Sequence, residues 1–130
     1  MDKIPREQMF EAEMIHQQLE SLQEYLARVG KQITEVHQLK EALEQFRKVK
    51  QGDELLVPLA AGVFMKAIAT EDSTLQVNVG KGVVVPKTIE GVHTMLDEQL
   101  AEMQQYEQQL QQQFEQLLAR LRSIEEKYRT

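Results

Sequence analysis

The 130-residue chain has no cysteine and no tryptophan, and its aromatic residues are limited to three Tyr and four Phe. Without cysteine there is no thiol catalysis, no disulfide and no thiolate metal site, and the chain is compatible with a reducing compartment. So few aromatics leave too little bulk for the core of an ordinary globular domain of this length. Positive charge is not in excess either: 15 Lys and Arg against 21 Asp and Glu give a net charge of −6. Nucleic-acid backbones and anionic membrane surfaces reward a basic footprint, so neither is the expected partner, and the basic cluster of Arg47, Lys48 and Lys50 is short. Long apolar runs are also missing. The longest, Leu55 to Met65, contains Pro58 and Gly62 and is too short to cross a bilayer. Asp2, Arg6, Glu7 and Glu11 interrupt any secretory signal near the start. The expectation is a soluble, cytoplasmic protein.

What the chain does have is helix-forming sequence, with 42% hydrophobic residues, 28% charged residues and 18 Gln. This composition suits long helices that bury a narrow stripe. Five of the six Gly and two of the three Pro fall between Gly52 and Gly91, and helical pattern lies on either side. Pro5 can occupy the first turn of a helix running to about Lys50, with Arg47, Lys48 and Lys50 complementing its carboxyl end and Gly52 terminating it. Thr88 can cap a second helix, with Glu90 in its first turn, that continues to about Tyr128. Each helix would be roughly 60 to 70 Å long at the standard rise per residue.

In the first helix Ala12, Ile15, Leu19, Leu22, Leu26, Val29, Ile33 and Val36 alternate in spacing between three and four, and Leu39, Leu43 and Phe46 resume after a one-residue slip. Ile89, Val92, Leu96, Leu100, Met103, Leu110, Phe114, Leu117, Leu121, Ile124 and Tyr128 form the matching stripe of the second helix, with a slip between Leu96 and Leu100. One stripe per helix and a short connecting segment predict an antiparallel two-helix coiled coil with both chain termini at its far end. Gly30 in the first helix marks either a flexible or closely packed point or a tolerated defect.

The segment between the helices follows strand chemistry. Leu55 to Leu59 and Val63 to Ala69 flank Ala60, Ala61 and Gly62, while Thr74 to Val79 and Val83 to Val85 flank Gly80, Lys81 and Gly82. Thr70, Glu71, Asp72 and Ser73 supply a polar turn between the pairs. The expectation is two β-hairpins or a four-stranded meander, with glycine providing positive φ at the turns. Two short hairpins on a coiled coil expose apolar faces and open edges. Pairing with hairpins of other subunits, closing a sheet or barrel, resolves this, so the chain is expected to be an obligate oligomer of α+β class; the competing expectation is a small self-contained sheet folded over the end of the coiled coil. The oligomerisation residues are then Leu55, Leu56, Val57, Leu59, Val63, Phe64, Leu75, Val77, Val79, Val83, Val84 and Val85.

Gly52-Asp53-Glu54-Leu55-Leu56-Val57-Pro58-Leu59, the hairpin Val63 to Ala69, and Val77-Asn78-Val79-Gly80-Lys81-Gly82-Val83-Val84-Val85-Pro86-Lys87-Thr88 resemble the central signature of alpha-class prefoldin subunits. The order helix, double hairpin, helix agrees along the whole chain, which is taken as one prefoldin-like domain with a first helix over 5–51, a double hairpin over 52–87 and a second helix over 88–128. The resemblance implies a hexamer of two alpha-class and four beta-class subunits joined through a double β-barrel. It also implies a chaperone that works without ATP, holding unfolded proteins at the coiled-coil tips and delivering them to a group II chaperonin. No cofactor is implied. The Gln-rich helices depart from the family pattern.

A surface for varied clients needs apolar side chains on a solvated support. Under antiparallel pairing Met9, Phe10 and Met14 meet Leu118, Leu121, Ile124 and Tyr128 at one end, with Phe10, Met14 and Leu118 off the stripe. These seven are the candidate client-binding residues; the competing expectation is that they complete the last turns of the coiled coil. Catalysis is not expected. His16, His37 and His93 lie far apart and form no metal-binding pattern, Gly80-Lys81-Gly82 lacks the spacing of a phosphate loop, and the carboxylates sit beside Lys and Arg as a solvated face. Two other functions fit the pattern: a coiled-coil scaffold or adaptor, and a homo-oligomer or filament of this subunit alone.

Overall fold

A computed structural model describes residues 4–70 and 74–128. Its elements run α1 (Arg6–Phe46), β1 (Glu54–Ala60), β2 (Val63–Ile68), β3 (Thr74–Gly80), β4 (Val83–Thr88) and α2 (Ile89–Lys127). Glu71, Asp72 and Ser73 of the expected polar turn lie outside the described residues. The chain divides into two compact units, one holding the chain up to Glu35 and from Leu100 onward, the other Val36–Gln99.

In the first unit, antiparallel segments of α1 and α2 meet along the predicted stripes. Ile15 and Leu19 are buried with Leu121 and Ile124, and Ala12, Phe114, Leu117, Leu118 and Tyr128 pack around them. A second cluster joins Leu22, Val29 and Leu110, flanked by Leu26, Ile33 and Met103. Both clusters hold only apolar residues, which is what a spacing of three and four delivers to one helix face. Gly30 is a tolerated defect rather than a close approach: a methyl group built there would lie 3.9 Å from Glu107 Oε2, ordinary van der Waals contact.

In the second unit Val36, Leu43, Ile89, Val92 and Leu96 are buried. The slip expected in α1 is absent. Leu39 is exposed, and Lys40 takes the intermediate position between Val36 and Leu43, its ammonium 2.5 Å from Asp97 Oδ1. The alternating spacing therefore continues unbroken, because a lysine stem covers apolar surface while its charge reaches a partner at the edge. In α2 the slip holds, with Val92, Leu96 and Leu100 four apart and all buried.

The ends of the helices show both agreement and correction. Thr88 caps α2 as expected, its Oγ1 accepting from Gly91 N at 3.0 Å. α1 stops at Phe46 rather than near Lys50, and Gly52 sits instead at the root of the first hairpin, its N–H donating to Ala69 O at 2.8 Å. Asp53 stabilises that root by accepting from Lys50 N at 2.8 Å. The basic residues do not dress the helix end as a group: Arg47 pairs with Glu44 at 3.1 Å and with Glu90 at 2.5 Å.

The middle segment is two separate two-stranded antiparallel sheets, not a meander. Ala61 and Gly62 turn the first hairpin with φ of 34° and 82°, and Lys81 and Gly82 turn the second with 52° and 75°. Positive φ at both central residues is the turn whose twist matches that of the flanking strands. Each hairpin carries a register shift just before its turn, between Pro58 and Ala60 and between Asn78 and Gly80, which bends the strand and adds local twist.

Ile124, only 2% exposed, and Gly30 make opposite predictions for thermal and urea unfolding. Ile124→Ala is expected to destabilise by about 2 to 5 kcal/mol through lost burial and a residual cavity, whereas Gly30→Ala is expected to stabilise by about 0.5 to 1 kcal/mol.

Candidate functional site

Residues opposite each other in an antiparallel hairpin point to the same face. In the first hairpin one face carries Leu56 opposite Lys66, Pro58 opposite Phe64, and Glu54 opposite Ile68. The other carries Leu55 opposite Ala67 and Val57 opposite Met65. Leu56 is 66% exposed and Ile68 65%, and Val57, Leu59, Val63, Phe64 and Met65 are exposed as well. Apolar side chains therefore reach solvent from both faces of this hairpin. The second hairpin is two-sided in chemistry. Leu75, Val77 and Val85 lie half-buried on the face shared with Lys87, while Val84 faces Asn78 and is exposed, as are Val79 and Val83 near the turn.

Of the expected oligomerisation residues, eight are thus exposed and four (Leu55, Leu75, Val77 and Val85) half-buried. Met65 and Ile68, outside that set, are exposed as well. Period-two alternation finds Met65, which lies directly across from Val57; Ile68 is harder, because its opposite residue is the charged Glu54. Each sheet has only two strands among the described residues, so every strand presents an edge.

The helix-end candidates separate into two groups. Phe10 is 65% exposed, and Met9 and Met14 are exposed beside it. Leu121 and Ile124 are not available as surface: both are buried against Ile15 and Leu19, because they fall on the stripe that closes the helix pair. Leu118 and Tyr128 are half-buried around the same cluster, so Leu118 is not off the stripe as expected. These four pack into the helix pair, and the exposed patch is made by the first turns of α1.

Ion pairs link the two helices to each other. Arg120 donates to both carboxylate oxygens of Glu11, at 2.7 and 3.1 Å. That bond holds the Glu11 carboxyl below its ordinary value of 4.5 and raises Arg120. Hydrogen bonds from Arg47 lower Glu90, and one from Lys40 lowers Asp97. His93 lies at the edge of the stripe with Nε2 2.8 Å from Glu44 Oε1, without the alignment of a hydrogen bond. Among the described residues no three His, Asp or Glu side chains are placed to hold a metal ion, and no helix is long and apolar enough to cross a membrane.

The prefoldin subunit family profile matches residues 15–130. The chain belongs to the prefoldin family. The curated relatives it is similar to include prefoldin alpha subunits of several archaea. Prefoldin subunit alpha of Pyrococcus horikoshii is 29% identical over 94 residues, covering 72% of this chain and 64% of that one. The Methanopyrus kandleri subunit is 30% identical over 80 residues, 62% and 51% of the two chains, and the Thermofilum pendens subunit 27% over 119 residues, 92% of each. The match to the first two thus spans less than two thirds of their length. The cryo-EM structure of filamentous PFD from Methanocaldococcus jannaschii shares the fold, with a TM-score of 0.79 at 17% identity over 88% of this chain and 94% of that one. Two hairpins between two long helices are thus the prefoldin fold, and the signature residues Glu54 to Leu59 and Val77 to Thr88 fall on β1 and on β3, β4 and the turn between them.

The Glu11 pair sets a pH signature for this prefoldin chain. A carboxyl whose folded value is depressed contributes stability above its ordinary range and loses it as pH falls through the folded value. Glu11→Gln is therefore expected to lower the melting temperature slightly near neutral pH. The difference from the parent should shrink with added salt and close as pH drops below about 4.5, as differential scanning calorimetry would record.

Proposed function

We propose that this prefoldin chain is an alpha-class subunit of a chaperone that works without ATP. It joins beta-class subunits, two alpha-class with four beta-class, through its hairpins; it holds unfolded proteins and passes them to a group II chaperonin. The observation that carries this reading is the distribution of exposed apolar side chains: apart from the scattered Tyr25, Leu39 and Tyr106, they gather on the hairpins, from Leu56 to Ile68 and from Val79 to Val84, and on the first turns of α1 at Met9, Phe10 and Met14. Large exposed apolar clusters mark interaction sites, and two clusters of different character support two tasks.

The hairpin cluster is rich in β-branched residues on regular strands, which suits a fixed intersubunit sheet or barrel. The α1 cluster is two methionines and a phenylalanine on a solvated helix. Unbranched thioether side chains adapt to differently shaped partners, and an aromatic ring contributes large contact area. Client capture is assigned to Met9, Phe10 and Met14, with the half-buried Leu118 and Tyr128 beside them and Leu121 and Ile124 as the core that supports them. A holdase of this kind needs no nucleophile, metal or nucleotide; it needs only apolar surface that unfolded chains match and folded ones do not.

Aggregation suppression of a denatured model protein, without ATP and in the presence of a beta-class partner, tests the proposal. The parent chain is expected to suppress light scattering at near-stoichiometric amounts. The triple substitution of Met9, Phe10 and Met14 by Ser is expected to reduce suppression by about tenfold or more while leaving the assembly mass and helix content unchanged, because all three side chains are exposed. Equal suppression by parent and variant would remove the capture assignment.

A further inference from the structure

Nine of the 18 Gln lie between Gln99 and Gln116, and neither assembly nor the exposed α1 patch uses them. In the unit built from the chain up to Glu35 and from Leu100 onward, a groove of about 660 Å³ opens between the helices. Its polar walls are the side-chain amides of Gln17 and Gln18 from α1 and Gln113 and Gln116 from α2, with the Ser21 hydroxyl beside them. Its apolar parts are the buried Leu22, the half-buried Leu117 and the exposed Met14. Among the described residues no charged side chain lines it, in a chain whose residues are 28% charged.

That lining selects an occupant by chemistry. A glutamine side chain offers one carbonyl acceptor and two N–H donors, the same groups that a peptide unit displays. An extended polypeptide presents unpaired N–H and C=O groups along its length whatever its side chains, so a wall of amides can hold it with little dependence on sequence. A helix or a folded surface has already paired its backbone groups and gains nothing from such a wall. The absence of charge points the same way: an unpaired ionic group facing a neutral segment would have to give up water without compensation. Leu22 and Leu117 then receive an aliphatic side chain from the occupant.

We infer that this groove takes an uncharged, extended polypeptide segment, held through its main chain by glutamine amides and through one aliphatic side chain against Leu22 and Leu117. The inference rests on the proposed capture of unfolded chains and adds what is recognised there: unpaired backbone as well as apolar side chains.

The test uses the full chain in its own assembly and a fluorescein-labelled peptide of alternating Thr and Val, with binding read by fluorescence anisotropy. Gln17→Ala with Gln113→Ala is expected to weaken binding about tenfold, the size of losing two modest hydrogen bonds. Methylating alternate backbone nitrogens of the peptide should weaken binding by a similar factor. All four wall positions are exposed, and an unchanged circular dichroism melt verifies that the variants fold. Parent-like affinity of the double variant, or equally tight binding of the methylated peptide, overturns the groove assignment. If the double variant binds like the parent while Phe10→Ser abolishes capture, the groove fails and the α1 patch stands; if neither changes capture, both fall. Concentration-dependent self-association of the chain that Gln113→Glu removes would show a second copy as the occupant and would also overturn the inference.

Discussion

Two packed helices bury only the stripe on which they meet, and this limit governs the rest of the molecule. A helix pair has no third layer to cover its flanks or its ends, so apolar residues off the stripe stay in water unless another chain covers them. Ile15, Leu19, Leu121 and Ile124 show the stripe closing on itself, with Ile124 nearly inaccessible. Met9, Phe10 and Met14, on the same helix as Ile15, fall outside it and remain exposed. The difference between core and surface is one of angular position on a helix, not of composition.

The hairpins meet the same limit in a different geometry. A two-stranded sheet has two faces and two edges, and among the described residues neither hairpin has the third strand that supports independent stability. Leu75, Val77 and Val85 are half-covered, but Leu56, Phe64, Ile68 and Val84 are not. The apolar surface left open on this small segment is the kind that subunits bury against each other, which is why a chain with seven aromatics carries so much β-branched sequence in one place.

Most of this arrangement was legible in the sequence because periodicity and turn chemistry are local. The alternating spacing from Ala12 to Val36 identified the α1 stripe, Thr88 identified the start of α2, and glycines after Ala61 and Lys81 marked the two turns. What was not legible depended on residues distant in sequence. Lys40 displaces Leu39 from the stripe because Asp97 stands opposite to receive its charge. Arg47 leaves the end of α1 for Glu90 on α2, and α1 ends early because Asp53 and Ala69 organise the hairpin root. Leu121 and Ile124 fall on the predicted stripe and are buried, Phe10 and Met14 fall off it and are exposed, but Leu118, read as off the stripe, packs against the core across the helix pair.

The central claim is that the hairpins complete their core with other subunits. The molar mass of the unmodified chain over a dilution series, alone and with a beta-class partner, measured by multi-angle light scattering, tests it most directly. The account predicts assemblies well above the 15.1 kDa chain that persist on dilution until the protein unfolds. A folded, monodisperse 15.1 kDa monomer under both conditions would contradict it.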